Sequence, residues 1–446
     1  WTSKDYVDVI APLIYKAALS PLTGVLNLGT ERKTIYAHAK ERNENVNPVK
    51  IEDTAFQTPY DTSLNLQKWM NYESSKSIAK PHTHCRICDS DRLVKYLDLG
   101  LMPLANNLEF TAIRAKEKER FPLQVMFCED CGLNQLSVVI DPEKMFSYYT
   151  YRSSVNKPYK DHCRLMAKTL KEKYNLNFQS FVIDVASNDG SLLKEFKNEI
   201  GLKVLGVDPA SNLVAIAEAQ GIETIMDFWG NDVAEKIVKN EKHGQADIIT
   251  ATNVFAHVND VKGFIGACKT ALKPDGVLII ECPYLVDFIE NMEYSQCYFE
   301  HLSIMSVIPM SALCSTKKMK VIDVEKFDIH TGTIWVTITH KESELPVSPN
   351  VQKFADSEIE KGFNKIEKYT GWSERVSEVN NEFASRLLDL KKQGFKIAGF
   401  GASAKGNTLL NRACMTTDLI DYICDETPEK IQKFMTGSGI PIVNKP

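Results

Sequence analysis

A concentrated positive field is missing from this sequence. Lys and Arg number 53 against 58 Asp and Glu, the formal charge is −5, and no Lys/Arg-rich stripe gathers the cations in one place. A phosphate backbone needs such a stripe, which argues against nucleic acid as a partner. Apolar runs of about 18 residues, the length that spans a bilayer, are missing as well, and no charged-then-apolar leader opens the chain. A disulfide framework is also missing. Of 11 cysteines, Cys163, Cys268, Cys282, Cys297, Cys314, Cys414 and Cys424 are scattered through mostly apolar stretches, the usage of a reducing compartment in which buried thiols act as small hydrophobes. These absences predict a soluble, cytoplasmic protein with neither a nucleic-acid nor a membrane partner.

What is present is ordinary for a globular chain: 43% apolar and 25% charged residues, and a length of 446 that exceeds one core and points to about three domains. Trp1 opens in mid-pattern and "GIPIVNKP" stops as another α/β unit begins, so both ends are expected to be cut. Residues 1–80 read as a helix ("DYVDVIAPLIYKAAL"), a short buried strand, a second helix and an extended, turn-rich stretch. Through "GVLNLGTERKT" and "PYDTSLNLQKW" this segment resembles the C-terminal tail of the extended short-chain dehydrogenase/reductases that act on nucleotide sugars. The resemblance implies a sugar reductase fused upstream. The cofactor-binding glycine turn and Tyr-Lys pair of that family do not occur in the segment, so it is not expected to act alone as an oxidoreductase.

Residues 81–150 contain "HCRICDS" and "FCEDCGLNQL". Cys85 and Cys88, then Cys128 and Cys131, form two C-x-x-C knuckles separated by residues 89–127. Each knuckle brings two thiolates to one ion, and four complete the tetrahedral shell that zinc prefers. A redox dithiol comes singly beside a βαβ unit, unlike this pair of pairs. With no ligand position left open, the zinc is expected to be structural and to hold the loop "LDLGLMPLANNLEF" in place.

Residues 175–345, the bulk of a domain taken as 151–345, alternate apolar runs and amphipathic stretches in the manner of a doubly wound α/β sheet. "FVIDVAS" is the first strand, followed by "KVLGVDP", "ETIMDF", "ADIITATNV" and "GVLIIECP". The turn after the first strand, Ala186-Ser187-Asn188-Asp189-Gly190, holds one Gly and is a poor pyrophosphate cradle. Asp184 and Asp189 repel phosphate but suit a sulfonium and an amino group. Asp208 ends the next strand, placed for ribose hydroxyls, and Asp227-Phe228 ends the third, an acceptor beside an aromatic face for adenine. Acidic strand ends in register favour S-adenosylmethionine over NAD. Residues 346–446 form a charged helical linker followed by "KIAGFGASAKGNTLLN" and "LIDYICDETPEK", a second, incomplete α/β unit.

The segments "CRIC", "DLGLMPLANN", "FCEDCGLNQL", "SNDGSLL", "NVFAHV", "YFEHLS" and "GFGASAKGNTLLN" occur in this order. From Cys85 onward the chain resembles the S-adenosylmethionine-dependent C-methyltransferases that act on nucleotide-linked keto-deoxysugars. The resemblance implies a zinc-binding N-terminal module, a central Rossmann-like class I methyltransferase domain and a C-terminal α/β domain, with the sugar nucleotide held between them. It also implies roles. His301 maps to the general base, with Tyr298, Glu300 and His257 beside it; Tyr149 and Tyr151 map to the substrate pocket, and Asn253 joins the cofactor residues.

The chemistry agrees with that assignment. Methylating carbon requires a base to remove a proton next to a ketone, while donors steady the enolate oxygen. Imidazole titrates near neutrality, so His301 suits the first task. Tyr298 and His257 suit the second, and Glu300 could fix the imidazole tautomer or contact sugar hydroxyls. Asn106, in "PLANN", and Lys405 with Asn407, in the C-terminal glycine turn, are assigned to the sugar nucleotide. Related sequences carry His-Gly-Gly-Ser-x-Arg where this one has "HTGTIWV"; Trp335 stands in place of the arginine, which bears on the sugar or its anionic handle. The alternative is a nucleotide-sugar reductase or epimerase, for which residues 1–80 alone speak.

Overall fold

The computed structural model describes residues 78–446 apart from 156, 330, 331 and 446. The reductase-like segment, except for its last residues, lies outside the described residues. Among the described residues no helix is long and apolar enough to cross a membrane.

The first strands, β1 (Ala79–Pro81), β2 (Leu93–Pro103), β3 (Arg120–Cys128), β4 (Asn134–Leu136) and β5 (Val138–Ile140), build the cysteine module. Its two knuckles are copies of one turn. The Cys85 amide donates to the Ser90 carbonyl and the Asp89 amide to the Cys85 carbonyl; the Cys128 amide donates to Leu133 and the Gly132 amide to Cys128. Asp89 (φ 59°) and Gly132 (φ 76°) supply the left-handed residue that each turn requires. All four sulfurs lie within 4.8 Å of one another, with Cys85–Cys131 at 3.4 Å and Cys88–Cys128 at 3.5 Å. A tetrahedral ion with Zn–S bonds of about 2.3 Å needs edges of about 3.8 Å, so the donor set fits zinc. The stretch "LDLGLMPLANNLEF" is a strand rather than a loop as far as Pro103. It pairs antiparallel with β3, with a bulge between Asp98 and Leu101, and it buries Leu97, Leu99 and Met102.

The central sheet comprises β6 (Phe181–Val185), β7 (Lys203–Val207), β8 (Thr224–Ile225), β9 (Ala246–Thr252) and β10 (Leu272–Pro283). After β11 (Ser303–Ile304), two more strands join it, β12 (Met319–Phe327) and β13 (Thr333–His340). The order is β12-β13-β10-β9-β6-β7-β8. β6 to β10 are parallel, whereas β13 runs antiparallel to β10 and to β12. This is the doubly wound arrangement expected from the sequence. Helices cover both faces; helix Lys157–Lys173, which the sequence reading does not include, buries Tyr159, His162, Cys163, Met166, Ala167 and Leu170 at helical spacing. Strand order reverses between β6 and β9, and the crevice at their carboxyl ends is where such sheets bind ligands.

The linker forms helices Pro349–Glu360 and Trp372–Lys392, with a 3-10 turn at Ile366–Tyr369. The charged helical linker is interrupted at Gly362 (φ 78°), inside "ADSEIEKGFNKIEKY". From the first helix Glu358, fully buried, accepts the amides of Val307 (2.7 Å) and Ile308 (3.0 Å) and the Tyr284 hydroxyl (3.0 Å). A carboxylate on the bare N-terminus of helix Val307–Thr316 satisfies donors that have no partner within that helix. The last sheet, β14 (Ala398–Phe400), β15 (Tyr422–Asp425) and β16 (Ile442–Asn444), is parallel.

The cysteine module does not stand apart. Its sheet has the order β11-β4-β3-β2, so a strand from the central domain completes it: Ser303 pairs with Gln135 and Ile304 with Asn134. Arg86, buried, donates from Nε to Asn259 Oδ1 at 3.2 Å across the same seam.

Two outcomes follow. Purified protein carries about one zinc per chain by elemental analysis, and Cys131→Ser loses it and lowers the melting temperature by at least about 5 °C. Glu358→Ala, which strands three buried donors, costs about 3–5 kcal/mol in denaturant unfolding, and Glu358→Gln costs less.

Candidate active site

A cavity of about 740 Å3 opens at the carboxyl ends of β6, β7 and β9 and is walled by all three domains. On the sheet side, Ala186 (φ 56°) and Asn188 (φ 54°) hold left-handed backbone conformations in the turn after β6. Such strain in non-glycine residues collects at ligand sites. The Ala186 amide donates to the Val207 carbonyl at 2.7 Å, folding the turn back over β7. Gly190 (φ 77°) ends the turn as the N-cap of helix Ser191–Ile200, and a Cβ there would meet Ile222 at 3.2 Å.

Two of the four expected acids face this crevice. Asp184 is buried and accepts the Thr250 hydroxyl at 2.7 Å; burial pushes its carboxyl up to about 7 against the stabilising pull of that hydroxyl. Asp208 accepts the amides of Asn188 and Ala210, each at 2.8 Å, and burial pushes it up to about 6. The other two expected acids are elsewhere. Asp189 is buried and accepts the Ser191 hydroxyl (2.6 Å) and the Ser154 amide (2.9 Å), so it caps rather than lines. Asp227 is exposed and turns onto the Phe228 amide, while Phe228 itself lines the cavity. Asn253 (φ 55°) lines it too, its carboxamide donating to Glu281 at 2.8 Å. An acidic crevice with an aromatic wall fits a cationic nucleoside.

Across the cavity stands the Tyr298–His301 loop. The Tyr298 hydroxyl is 2.6 Å from His301 Nε2, and His301 Nδ1 is 2.8 Å from the Gln296 carbonyl. A carbonyl only accepts, so the proton sits on Nδ1 and Nε2 carries the lone pair to which Tyr298 donates. His257 stacks on His301 with ring centroids 5.3 Å apart, and Phe146 stacks on His257 at 5.4 Å. Burial holds the His301 imidazole well below its ordinary range, helped by His257 and Lys405, and burial lowers His257 to about 4. Both rings are therefore neutral at pH 7.

Glu300 is not the residue that fixes the tautomer; the Gln296 main chain is. Glu300 is buried behind the cavity wall and accepts the Asn106 carboxamide at 2.8 Å, while Asn106 lines the cavity. Tyr149 and Tyr151 both line it; burial raises both phenols, Tyr151 to about 12. From the C-terminal domain come Ser403, Lys405 and Lys430. Lys430 is buried and donates to the Ala402 carbonyl at 2.9 Å; nothing in "TPEKIQ" singles it out in sequence. Asn407 is buried within its helix, bonded to Asn411 at 3.0 Å, and does not reach the cavity. Trp335 does not reach it either. Its indole N–H donates to Glu281, which His162 also contacts at 2.5 Å, inside the core. The side chain at this position therefore serves the core of the central domain instead of contacting a sugar.

Three family models match consecutive stretches of the chain: "Putative zinc binding domain" over residues 85–146, "Methyltransferase domain" over 157–315 and "C-methyltransferase C-terminal domain" over 328–446. C-methyltransferase NovU of Streptomyces niveus is 30% identical over 367 residues, 82% of this chain and 87% of NovU. A ubiquinone biosynthesis O-methyltransferase of Rhodopseudomonas palustris (strain BisA53) is 32% identical over 101 residues, 22% of this chain and 38% of that protein. Among solved structures, magnesium protoporphyrin IX methyltransferase (ChlM) from Synechocystis PCC 6803 with bound SAM covers 41% of this chain and 79% of its own, with 11% identity and a TM-score of 0.31. The likeness to NovU extends over more than four fifths of this chain. On that basis the chain belongs to the S-adenosylmethionine-dependent C-methyltransferases, built on a structural zinc module.

Proposed function

We propose that this C-methyltransferase methylates the carbon next to the keto group of a nucleotide-linked deoxysugar, through an enolate raised by His301, in branched-chain sugar biosynthesis. The observation that carries the proposal is the tautomer lock. The Gln296 carbonyl fixes the proton on Nδ1 and leaves Nε2 as a neutral base at the cavity wall. S-adenosylmethionine supplies an electrophilic methyl on a sulfonium. His301 Nε2 takes the proton from the carbon beside the ketone, and the C–H electrons move into the enolate. Nε2 has a single lone pair, so the Tyr298 hydroxyl turns from it to the ketone oxygen before the proton arrives, and there it donates to the enolate oxygen as charge develops. The enolate carbon forms the new C–C bond as the S–C bond breaks, and its electron pair leaves on sulfur. His257, neutral and stacked on the base, is a second donor at the same wall.

Lys405 and Lys430, with the helix N-terminus at Ala404, suit a diphosphate. Tyr149, Tyr151 and Asn106 are the proposed sugar contacts, with Glu300 acting through Asn106. Asp184 and Asp208 give the crevice the negative charge that favours a sulfonium, beside Ala186, Asn188, Asn253 and Phe228. The reductase alternative finds no support in the family matches.

The test mixes enzyme, S-adenosylmethionine and nucleotide-linked keto-deoxysugars in heavy water. Wild type releases S-adenosylhomocysteine and, with S-adenosylhomocysteine in place of the donor, exchanges deuterium next to the carbonyl. His301→Asn lowers both by about 10²–10⁴-fold; exchange that persists undiminished in the variant removes His301 from the role of base.

The acid pair makes a separate expectation. A carboxyl raised to about 7 or 6 becomes neutral as pH falls through that value, so attraction for a sulfonium is present above pH 7 and lost toward pH 5. Titration calorimetry is expected to show S-adenosylmethionine affinity falling about 3–10-fold more than that of S-adenosylhomocysteine, whose sulfur is uncharged, over that range. Parallel curves for the two ligands would take the acids out of sulfonium recognition.

A further inference from the structure

The segment from Ser147 to Ser154 carries Tyr149 and Tyr151 into the cavity, yet none of these residues belongs to a strand. Its polar main chain must be satisfied by something other than a ladder. Two asparagine carboxamides supply much of what is missing. Asn212, at the start of helix Ser211–Ala219, accepts the Tyr149 amide at 3.1 Å and donates to the Tyr149 carbonyl at 2.8 Å. Asn188, in the turn after β6, donates to the Tyr151 carbonyl and accepts the Ser153 amide, each at 3.1 Å. Asp189 takes the Ser154 amide at 2.9 Å, and the Ser211 amide donates to the Ser147 carbonyl at 3.2 Å. Ser147, Tyr149, Tyr151 and Ser153 are thus each held through the main chain by groups of the two βα connections that flank the cofactor crevice, in addition to the Ser147 amide, which donates to the Glu143 carbonyl at 3.4 Å.

A carboxamide has one donor and one acceptor side, which matches the C=O and N–H of a peptide but of no single-function side chain. Held in this way, each tyrosine is oriented without spending its own hydroxyl, which stays available to a ligand. We infer that Asn212 and Asn188 are positioning residues that suspend the tyrosine segment from the cofactor-binding turns, so that the sugar side of the cavity is assembled on the cofactor side. Asn188 is itself tied to Asp208 through its amide at 2.8 Å, which makes the turn that meets the nucleoside the same turn that aims Tyr151. Asn212 does not line the cavity, so its effect is exerted through Tyr149 alone. This inference rests on the proposed assignment of Tyr149 to the sugar.

Asn212 is the residue to test, because changing it leaves the crevice walls intact. In Asn212→Ala, hydrogen-exchange mass spectrometry is expected to show the Tyr149 amide exchanging at least about 10-fold faster, with Ser153 and Ser154 unchanged. The affinity for S-adenosylhomocysteine stays within about twofold, which also reports that the domain is folded. With a keto-deoxysugar nucleotide that wild type turns over, kcat/KM falls about 10–30-fold. Tyr149→Phe, costly in wild type, then costs less than about twofold in the Asn212→Ala background, since both changes remove one function. An unchanged Tyr149 exchange rate, equal Tyr149→Phe penalties in both backgrounds, or an affinity loss as large as the loss of turnover each overturns the inference. A wild type inert toward every keto-sugar nucleotide counts against the substrate proposal, and the exchange rate at Tyr149 still decides the clamp.

Discussion

The geometry of the site depends on how the loop from Tyr294 to Leu302 is gripped. From one side the zinc module holds it: Leu136 donates to the Leu302 carbonyl at 2.9 Å, β11 pairs with β4 immediately after, and Asn106 bonds Glu300. From the other side the C-terminal half holds it, with the Thr408 hydroxyl on the Cys297 carbonyl at 2.9 Å and the Tyr294 hydroxyl on Asn380 at 2.9 Å. The loop itself belongs to the central domain. A group that has to meet a reacting atom within a few tenths of an ångström needs this kind of support, because an irregular loop has no ladder of its own to fix it. It also gives the zinc a function at a distance, since the metal stiffens a sheet of which the proposed base loop is the continuation.

Burial acts on the two walls of the cavity in opposite chemical senses. It disfavours whichever form is charged, so it raises Asp184 and Asp208 and lowers His301 and His257. On the crevice side this leaves carboxylates poised near neutrality, which a cation entering the site stabilises in their charged form. On the loop side it leaves imidazoles uncharged, and an uncharged imidazole is the form able to receive a proton. One low-dielectric cavity thereby suits a positively charged donor on one face and a proton acceptor on the other.

Much of this was legible in the sequence. The paired C-x-x-C knuckles, the alternation of strands and helices, and the run Tyr298 to His301 are local signals. Spacing within a turn and period within an element are set by the chain's own geometry, so they survive without knowledge of what packs where. The readings that failed depended on distance in the fold. Asp189 and Asp227 resemble Asp184 and Asp208 in sequence position, but a capping role or an exposed turn decides which way a carboxylate points. Trp335 was read as the loss of an arginine's charge contact, and what its indole does in place of that contact, donating to Glu281 in the core, is visible only in the fold. "LDLGLMPLANNLEF" was read as a loop, yet as far as Pro103 it is a strand whose bulge between Asp98 and Leu101 takes up Gly100.

The sequence by itself determined the metal-binding thiols and the class of sheet, since both follow from residue type and short-range spacing. Only the tertiary structure decided the tautomer of His301, the second lysine at Lys430 and the asparagines that carry the tyrosines. All three turn on main-chain carbonyls and amides. Every residue possesses these, so no sequence pattern can mark which of them will be brought within hydrogen-bonding distance.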